Sequence, residues 1–198
     1  MKAALPPTLK ALAATHCSSP DQFFDAAVKP LDQQVVLALS HYTTDQANSD
    51  EWRDYRVGRV TASKAHTVFT KVKHDGEISS RNTALLKEIM NYLPPAHSPA
   101  IDWGNYNERY AVNNFEKLIR RKHKTMKIVP CGLILYGQLP IMAASPDGLV
   151  TCKCCGTRPL EVKNPFKHRA LSIPKFAEQP DSCLQVTTGK VCCYLFLL

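Results

Sequence analysis

Residues 143–150 read AASPDGLV, and residues 160–165 read LEVKNP. Both segments are largely apolar, yet Asp147 directly follows a proline, and Glu161 and Lys163 stand on either side of a valine. Charged side chains are rarely buried unless they are paired or bind a metal ion. Charges within such segments therefore indicate either surface turns or a functional site, and the fold depends on how the two segments pair.

The two segments are predicted to form the arms of a β-hairpin, at residues 148–151 and 160–163. Residues two apart in a strand point to the same face, so Glu161 and Lys163 would project together. Pairing across the hairpin would bring Asp147 beside Glu161. Two carboxylates suit a hard cation such as Mg²⁺, and a nearby lysine suits metal-assisted hydrolysis of a phosphodiester. Either motif alone would normally be a turn or a surface strand, but their order and spacing favour a nuclease site.

The rest of the chain predicts helices before this hairpin and short strands next to it. Apolar residues at helical spacing predict helices at 31–42, from Thr61 onward, at 81–93 and at 105–121. Short apolar segments predict buried strands at 128–136 and 139–144. Helices followed by strands predict an α/β or α+β domain with one central sheet. We assign this domain to residues 49–198 and a helical extension with a polar linker to residues 1–48.

Composition restricts the class of protein and the kind of partner. The chain has 198 residues, 44% of them hydrophobic and 21% charged, which is typical of a globular protein. Its net charge of +8 fits a polyanionic partner such as nucleic acid. Apolar runs are too short to cross a bilayer, and the start, MKAALPPTLK, is a poor signal peptide. We therefore expect a soluble, intracellular protein with no membrane partner.

Basic residues are concentrated in the last turn of the helix predicted at 105–121 and in the residues that follow it. The cluster comprises Arg120, Arg121, Lys122, Lys124 and Lys127. Cations at this end of a helix stabilise it through the helix dipole, but they could equally contact phosphates. The charge pattern leaves both interpretations open.

Three of the eight cysteines, Cys152, Cys154 and Cys155, fall at the predicted hairpin tip. A disulfide framework is not expected in a chain without a secretory signal. A structural zinc site needs four ligands, usually from two paired clusters, and no second C-x-x-C or H-x-x-x-H follows. We therefore predict reduced thiols at the tip and keep zinc binding as the alternative.

Four segments in order carry a resemblance to a known family. They are Trp52 with YRVGRVTAS at 55–63, WGNYNE at 103–108, ASPDGL at 144–149 and LEVKNP at 160–165. The pattern is similar to the P-D-(D/E)-x-K nuclease superfamily and, more narrowly, resembles the YqaJ-type viral recombinases, which include the phage lambda exonuclease. The resemblance implies a restriction-endonuclease-like α/β core with a central mixed sheet flanked by helices.

The same resemblance implies a role for each matched residue. Asp147, Glu161, Glu108 and the backbone carbonyl of Val162 would hold Mg²⁺, for which Mn²⁺ could substitute. Lys163 would be the catalytic lysine. It would form the catalytic centre together with the side chains of Asp147, Glu161 and Glu108. On composition alone, Glu108 would pass for an exposed helical residue.

Three further residues match positions that resemble the DNA-phosphate grip of lambda-type enzymes: Arg56, Ser63 and Ser145. The planar guanidinium of arginine suits phosphate, and a serine near a helix N-terminus adds donors. Ser63 could also be a helix N-cap.

The activity that the resemblance implies is a magnesium-dependent exonuclease that resects duplex DNA ends, in the 5′-to-3′ direction, for recombination or repair. Its partners would be double-stranded DNA ends, a single-strand annealing protein and further copies of itself in a ring-like trimer. Its location would be the nucleus in a eukaryote and the cytoplasm otherwise.

Two departures from the family pattern suggest an alternative function. Asn164 stands where relatives commonly have cysteine, and residues 182–198 resemble the usual continuation only loosely. We expect the C-terminal part of the domain to be incomplete, with the apolar residues 195–198 making the chain marginally stable. The alternative is therefore a catalytically impaired, domesticated DNA-binding remnant of such a nuclease.

Overall fold

The structure is a computed structural model that describes residues 4–16, 18–75, 83–94, 96–187 and 190–193. The helices are α1 (Leu9–Thr15), α2 (Pro20–Val28), α3 (Gln33–Tyr42), α4 (Asp50–Arg56), α5 (Ala62–Asp75), α6 (Thr83–Ile89), α7 (Pro99–Ile119) and α8 (Ile173–Ala177). The strands are β1 (Val60–Thr61), β2 (Lys127–Val129), β3 (Ile134–Leu135), β4 (Met142–Ala144), β5 (Gly148–Cys152), β6 (Gly156–Leu160), β7 (Leu184–Thr187) and β8 (Lys190–Cys193). A short 3-10 helix, Gln46–Asn48, precedes α4. The mixed α/β class predicted from the sequence is confirmed.

Side-chain caps explain where the first four helices begin. A hydroxyl or carboxylate before each helix accepts a hydrogen bond from an amide in its first turn, which satisfies one of the free N–H groups there. The capping residues are Thr8, Ser19, Asp32 and Ser49. The predicted helix at 31–42 is confirmed as α3. The cap of α4, Ser49, lies in the polar stretch 45–50.

The chain divides into two compact units. The first unit contains Met1–Pro95 and Ile119–Glu161, and the second contains Ala96–Leu118 and Val162–Leu198. The domain division that we drew at residue 48 stays a prediction.

The hydrophobic core of the first unit combines helices and strands. It consists of Leu39, Tyr55, Leu133, Leu135 and Ala143. These residues come from α3, α4, β4 and the segment around β3, so the first 48 residues contribute to the same core as the sheet. Arg59, only 3% exposed, donates from Nε to the carbonyl of Pro140 at 2.9 Å, which ties the end of α4 to the strand region.

The strands form three small sheets where the sequence predicted one. The first has the order β1-β4-β3, with β1 and β4 parallel; the second has the order β2-β5-β6 and is antiparallel; the third is the pair β7-β8. The predicted strand at 128–136 is divided because Pro130 has no N–H for a ladder. After it, Gly132 donates to the carbonyl of Ser40 at 2.9 Å, and Leu133 donates to Thr43 Oγ1 at 2.8 Å.

The ends of two predicted helices differ from the observed ends, and local interactions explain the difference. The helix predicted at 105–121 begins at Pro99, because Ser98 Oγ accepts from the amide of Ile101 at 3.3 Å. The helix predicted at 81–93 is α6; it ends before Asn91, whose φ of 56° is incompatible with a helix. Residues 81–82 lie outside the described residues.

The second unit packs around aromatic side chains. Phe176 of α8 is buried and lies against His168, with ring centroids 5.3 Å apart. Asp181 accepts from Lys167 Nζ and pairs with His168 Nε2, both at 2.8 Å. These two interactions hold the pKa of the Asp181 carboxyl at about 2, with the Lys167 hydrogen bond as the larger cause.

No helix among the described residues is long and apolar enough to span a membrane. The residues 195–198, on which the expected marginal stability depends, lie outside the described part of the chain.

Gly132 is placed where a side chain cannot fit. A Cβ there would lie 2.3 Å from the carbonyl carbon and oxygen of Thr43 and from its Oγ1. Thr43 is fully buried, and the helix end cannot move away from Gly132 without losing the hydrogen bonds that Gly132 and Leu133 donate to Ser40 and Thr43.

We therefore predict that Gly132→Ala destabilises the first unit by about 1–3 kcal/mol or more, as overpacking of a core typically does. Urea denaturation followed by circular dichroism measures the loss. Gly137→Ala is the matched control, since a Cβ there meets ordinary contacts at 3.4 and 3.8 Å. Equal stability of the two variants would contradict the close approach.

Candidate active site

Asp147 and Glu161 lie at the open end of the β5–β6 hairpin. The strands pair from Cys152 with Gly156 to Gly148 with Leu160. One residue further on, the amide of Asp147 donates to the carbonyl of Leu160 at 3.0 Å. This bond is offset by one residue from the register of the ladder, so it holds Asp147 beside Leu160, the residue before Glu161. Asp147 and Glu161 therefore both adjoin the last pair of the ladder.

The hairpin differs from the predicted one in the position of its second arm. The turn contains only residues 153–155, and β6 ends at Leu160, so residues 161–163 follow the strand and are not part of it. The prediction that residues 161–163 form a strand is therefore wrong, and the common projection of Glu161 and Lys163 stays a prediction.

The predicted site residues are divided between the two units. Asp147 and Glu161 belong to the first, whereas Val162, Lys163 and Glu108 belong to the second. The metal and catalytic roles assigned to these five residues stay predictions.

Within the second unit, the segment after Lys163 is attached to α7. Asn164 Nδ2 donates to the carbonyl of Gly104 at 3.2 Å, and Trp103 packs edge-to-face on Phe166 with centroids 6.3 Å apart. Glu108 lies one helical turn after Gly104, on the same face of α7. Asn164, a departure from the family pattern, thus joins the segment bearing Lys163 to the face bearing Glu108.

Arg56, Trp52 and Ser145 form a connected group in the first unit. The Arg56 guanidinium carbon lies 4.1 Å from the centroid of the Trp52 ring, a cation–π distance. The indole Nε1 of Trp52 donates to Ser145 Oγ at 2.9 Å. Burial lowers the pKa of Arg56, which stays charged at neutral pH. Two of the three predicted phosphate-binding residues are therefore linked through Trp52, whose part in the group has no signal in the sequence beyond the motif that contains it.

Ser63 and Ser145 follow neighbouring parallel strands. Thr61 of β1 pairs with Ala143 of β4, and each serine stands two residues later. Because parallel strands run in the same direction, both serines lie beyond the same edge of the sheet. Ser63 is the second residue of α5, so it lies in the first turn and does not precede the helix as an N-cap would.

Gln46 holds the loop before Asp147. Its Nε2 donates to the carbonyls of Cys131 and Pro146 at 2.8 and 2.9 Å. The Cys131 thiol also points to the Pro146 carbonyl, at 3.6 Å, and its pKa is raised by burial and, secondarily, by the negative charge of Asp147. Sequence reasoning missed Gln46, because a single glutamine in a polar stretch carries no pattern.

We predict that Gln46→Glu costs about 1–3 kcal/mol of stability, because it removes both donors and leaves carboxylate oxygens facing two carbonyls. Urea denaturation measures this effect. The exposed Gln34→Glu should change stability by less than about 0.5 kcal/mol. If both variants were equally stable, the side chain of Gln46 would have no structural role.

Comparison with known protein families identifies one match over most of the chain. The model of the YqaJ-like viral recombinase domain matches residues 51–186. This range includes all of α4 except its first residue, the β5–β6 hairpin and all the predicted site residues. A search of curated proteins finds no significant match.

Proposed function

The chain belongs to the YqaJ-like viral recombinase domain family, and we propose that it is a magnesium-dependent DNA exonuclease that resects duplex ends from the 5′ side. Membership of the family indicates a nuclease or recombination function. The finer assignment is supported by one observation, the hydrogen bond from the amide of Asp147 to the carbonyl of Leu160, which holds Asp147 beside the residue that precedes Glu161.

The chemistry of the donor set fits Mg²⁺. This ion prefers oxygen ligands and is usually held by one or two carboxylates together with water and substrate phosphate. Asp147 and Glu161 would supply two carboxylates to the ion. The Val162 carbonyl and the Glu108 carboxylate would be further oxygen donors. When bound, Mg²⁺ or Mn²⁺ would stabilise the charge that develops on the phosphate and make a water molecule more acidic.

The chain's own residues would perform the remaining steps. Lys163 would position or deprotonate the attacking water, and Asn164 supports this role because it fastens the neighbouring backbone to α7. Arg56, Ser63 and Ser145 would bind the phosphates of the DNA. The support for this grip is that the Arg56 guanidinium lies over the Trp52 ring, and that both serines lie beyond the same sheet edge.

The net charge of +8 supports a DNA partner, because basic proteins attract polyanions. The same proposal includes a single-strand annealing protein as partner and assembly into a ring-like trimer. The location would be the nucleus in a eukaryote and the cytoplasm otherwise, and the role would be in recombination or repair.

Asp147→Asn should abolish cleavage and leave DNA binding intact. The loss should be about 1,000-fold or more, because metal coordination contributes several kcal/mol and each 1.4 kcal/mol is about tenfold. The measurement is the rate of nucleotide release from linear duplex DNA with and without Mg²⁺, with circular duplex as a second substrate. Asp25→Asn, an exposed change in α2, is the control.

Each outcome of this experiment is informative. Cleavage by Asp147→Asn at the wild-type rate would refute the assignment of Asp147. A wild type that binds DNA but does not cut under any metal would instead indicate the DNA-binding remnant. Cleavage of circular DNA would show endonuclease activity and exclude a strict exonuclease.

Arg56→Ala should weaken binding to a 5′-phosphorylated end by about 10–100-fold, since charge-assisted hydrogen bonds contribute about 1.5–3 kcal/mol. It should also remove a preference over the 5′-hydroxyl end. Fluorescence anisotropy with both duplexes measures this difference. Arg53→Ala is the matched control, because Arg53 lies on the same helix and pairs with Asp50 at 2.7 Å. Equal affinity of the wild type for both ends would argue against the grip.

A further inference from the structure

Four metal-binding side chains converge at the turn of the β5–β6 hairpin, at the opposite end from Asp147. They are His123, Cys152, Cys154 and Cys155, whose ligand atoms all lie within 4.8 Å of one another. The Nδ1 atom of His123 lies 3.2, 3.3 and 3.8 Å from the sulfurs of Cys154, Cys155 and Cys152. The sulfur of Cys154 lies 3.1 Å from that of Cys152 and 3.3 Å from that of Cys155.

These separations are close to those of a tetrahedral zinc site. Zinc binds thiolate sulfur at about 2.3 Å and imidazole nitrogen at about 2.0–2.1 Å, so ligands at the corners of a tetrahedron are about 3.4–3.8 Å apart. A disulfide would require sulfurs about 2.05 Å apart, and all three cysteines are free. A disulfide would also leave the third sulfur and the histidine unexplained.

The backbone around the cluster brings His123 to the turn. The β2–β5 ladder pairs Lys127 with Thr151, which aligns the segment after α7 with the hairpin. Beyond the ladder, the amide of Lys153 donates to Thr125 Oγ1 at 3.3 Å. Gly156, with φ of 73°, supplies the left-handed conformation that closes the turn.

We propose that His123, Cys152, Cys154 and Cys155 bind one Zn²⁺ ion in a structural Cys₃His site. Four protein ligands complete the coordination of zinc, which is typical of structural sites, whereas catalytic sites keep one position open. Three sulfurs and an imidazole select zinc over Mg²⁺, which prefers oxygen.

The zinc site is separate from the carboxylates but acts on the same hairpin. Asp147 precedes Cys152 by five residues, or about 17 Å along the strand at about 3.4 Å per residue. Zinc would join the segment after α7 to the hairpin turn and so stabilise the strand pairing whose other end adjoins Asp147 and Glu161. The proposal does not depend on nuclease activity, since it rests on a different set of residues.

The direct test is the metal content of the full chain, purified without chelator and then incubated with Zn²⁺ and desalted. Elemental analysis by mass spectrometry should find about one zinc per chain. Cys154→Ser and His123→Ala should lose it. Cys183→Ser and His41→Ala, which change exposed residues outside the cluster, should keep it.

A second measurement keeps the test decisive if a ligand variant fails to fold. The wild-type chain, stripped with a chelator under reducing conditions, should regain one zinc on titration, with loss of thiol reactivity at the three clustered cysteines. Replacement by Co²⁺ should give the visible absorption of a tetrahedral thiolate site. Zinc should raise the melting temperature by about 5–10 °C, because it binds the folded state.

Three results would overturn the proposal: wild-type chain that takes up substantially less than one zinc, retention of zinc by folded Cys154→Ser, or equal loss in the two control variants. Asp147→Asn should keep its zinc, so the zinc result and the nuclease result can fail independently.

Discussion

The antiparallel pairing of β5 with β6 is the constraint on which the functional regions of the first unit depend. The ladder runs from Cys152 opposite Gly156 to Gly148 opposite Leu160. It places the acidic pair at one end and the cysteine cluster at the other. Because side chains alternate along a strand, a slip of one residue would move every side chain of β6 to the other face. The register is therefore as important for the site as the residues themselves.

β2 supports this register from the other side of β5. It pairs Lys127, Ile128 and Val129 with residues of β5, while β6 remains an edge strand. An edge strand tolerates proline, because the proline nitrogen, which has no hydrogen to donate, can point to the unpaired side of the strand. This explains why Pro159 lies within β6, opposite Leu149, although the sequence suggested that it belonged to the turn.

The elements that the sequence predicts well are those whose formation depends on nearby residues. The helical spacing of apolar residues located α3, and the Thr61-Ala62-Ser63 sequence located the start of α5. The hairpin was also predicted, but its turn was drawn too long because a run of cysteines with glycine and proline looks unlike a strand. The strand predicted at 128–136 failed because the amide groups after Pro130 bond to α3, a partner that is remote in sequence.

The candidate site shows the same division between local and remote information. Asp147 and Glu161 can be proposed as site residues from the sequence because each stands in a short contiguous motif. Gln46 was missed because it meets its two partners across 85 and 100 residues. His123 was missed because it stands alone, 29 residues before the first cysteine that it meets. Such contacts become visible only when the fold has brought the segments together.

The position of the two tryptophans has an optical consequence. The chain contains only Trp52 and Trp103, and each belongs to a different unit. Trp52 carries a guanidinium over its ring and a hydrogen bond on its indole nitrogen, so its emission depends on the charge around Arg56. Trp103 rests on Phe166 and responds to the packing of its own unit. Replacing either one with phenylalanine leaves a single tryptophan, which can be excited apart from the seven tyrosines and lets the unfolding of each unit be followed separately.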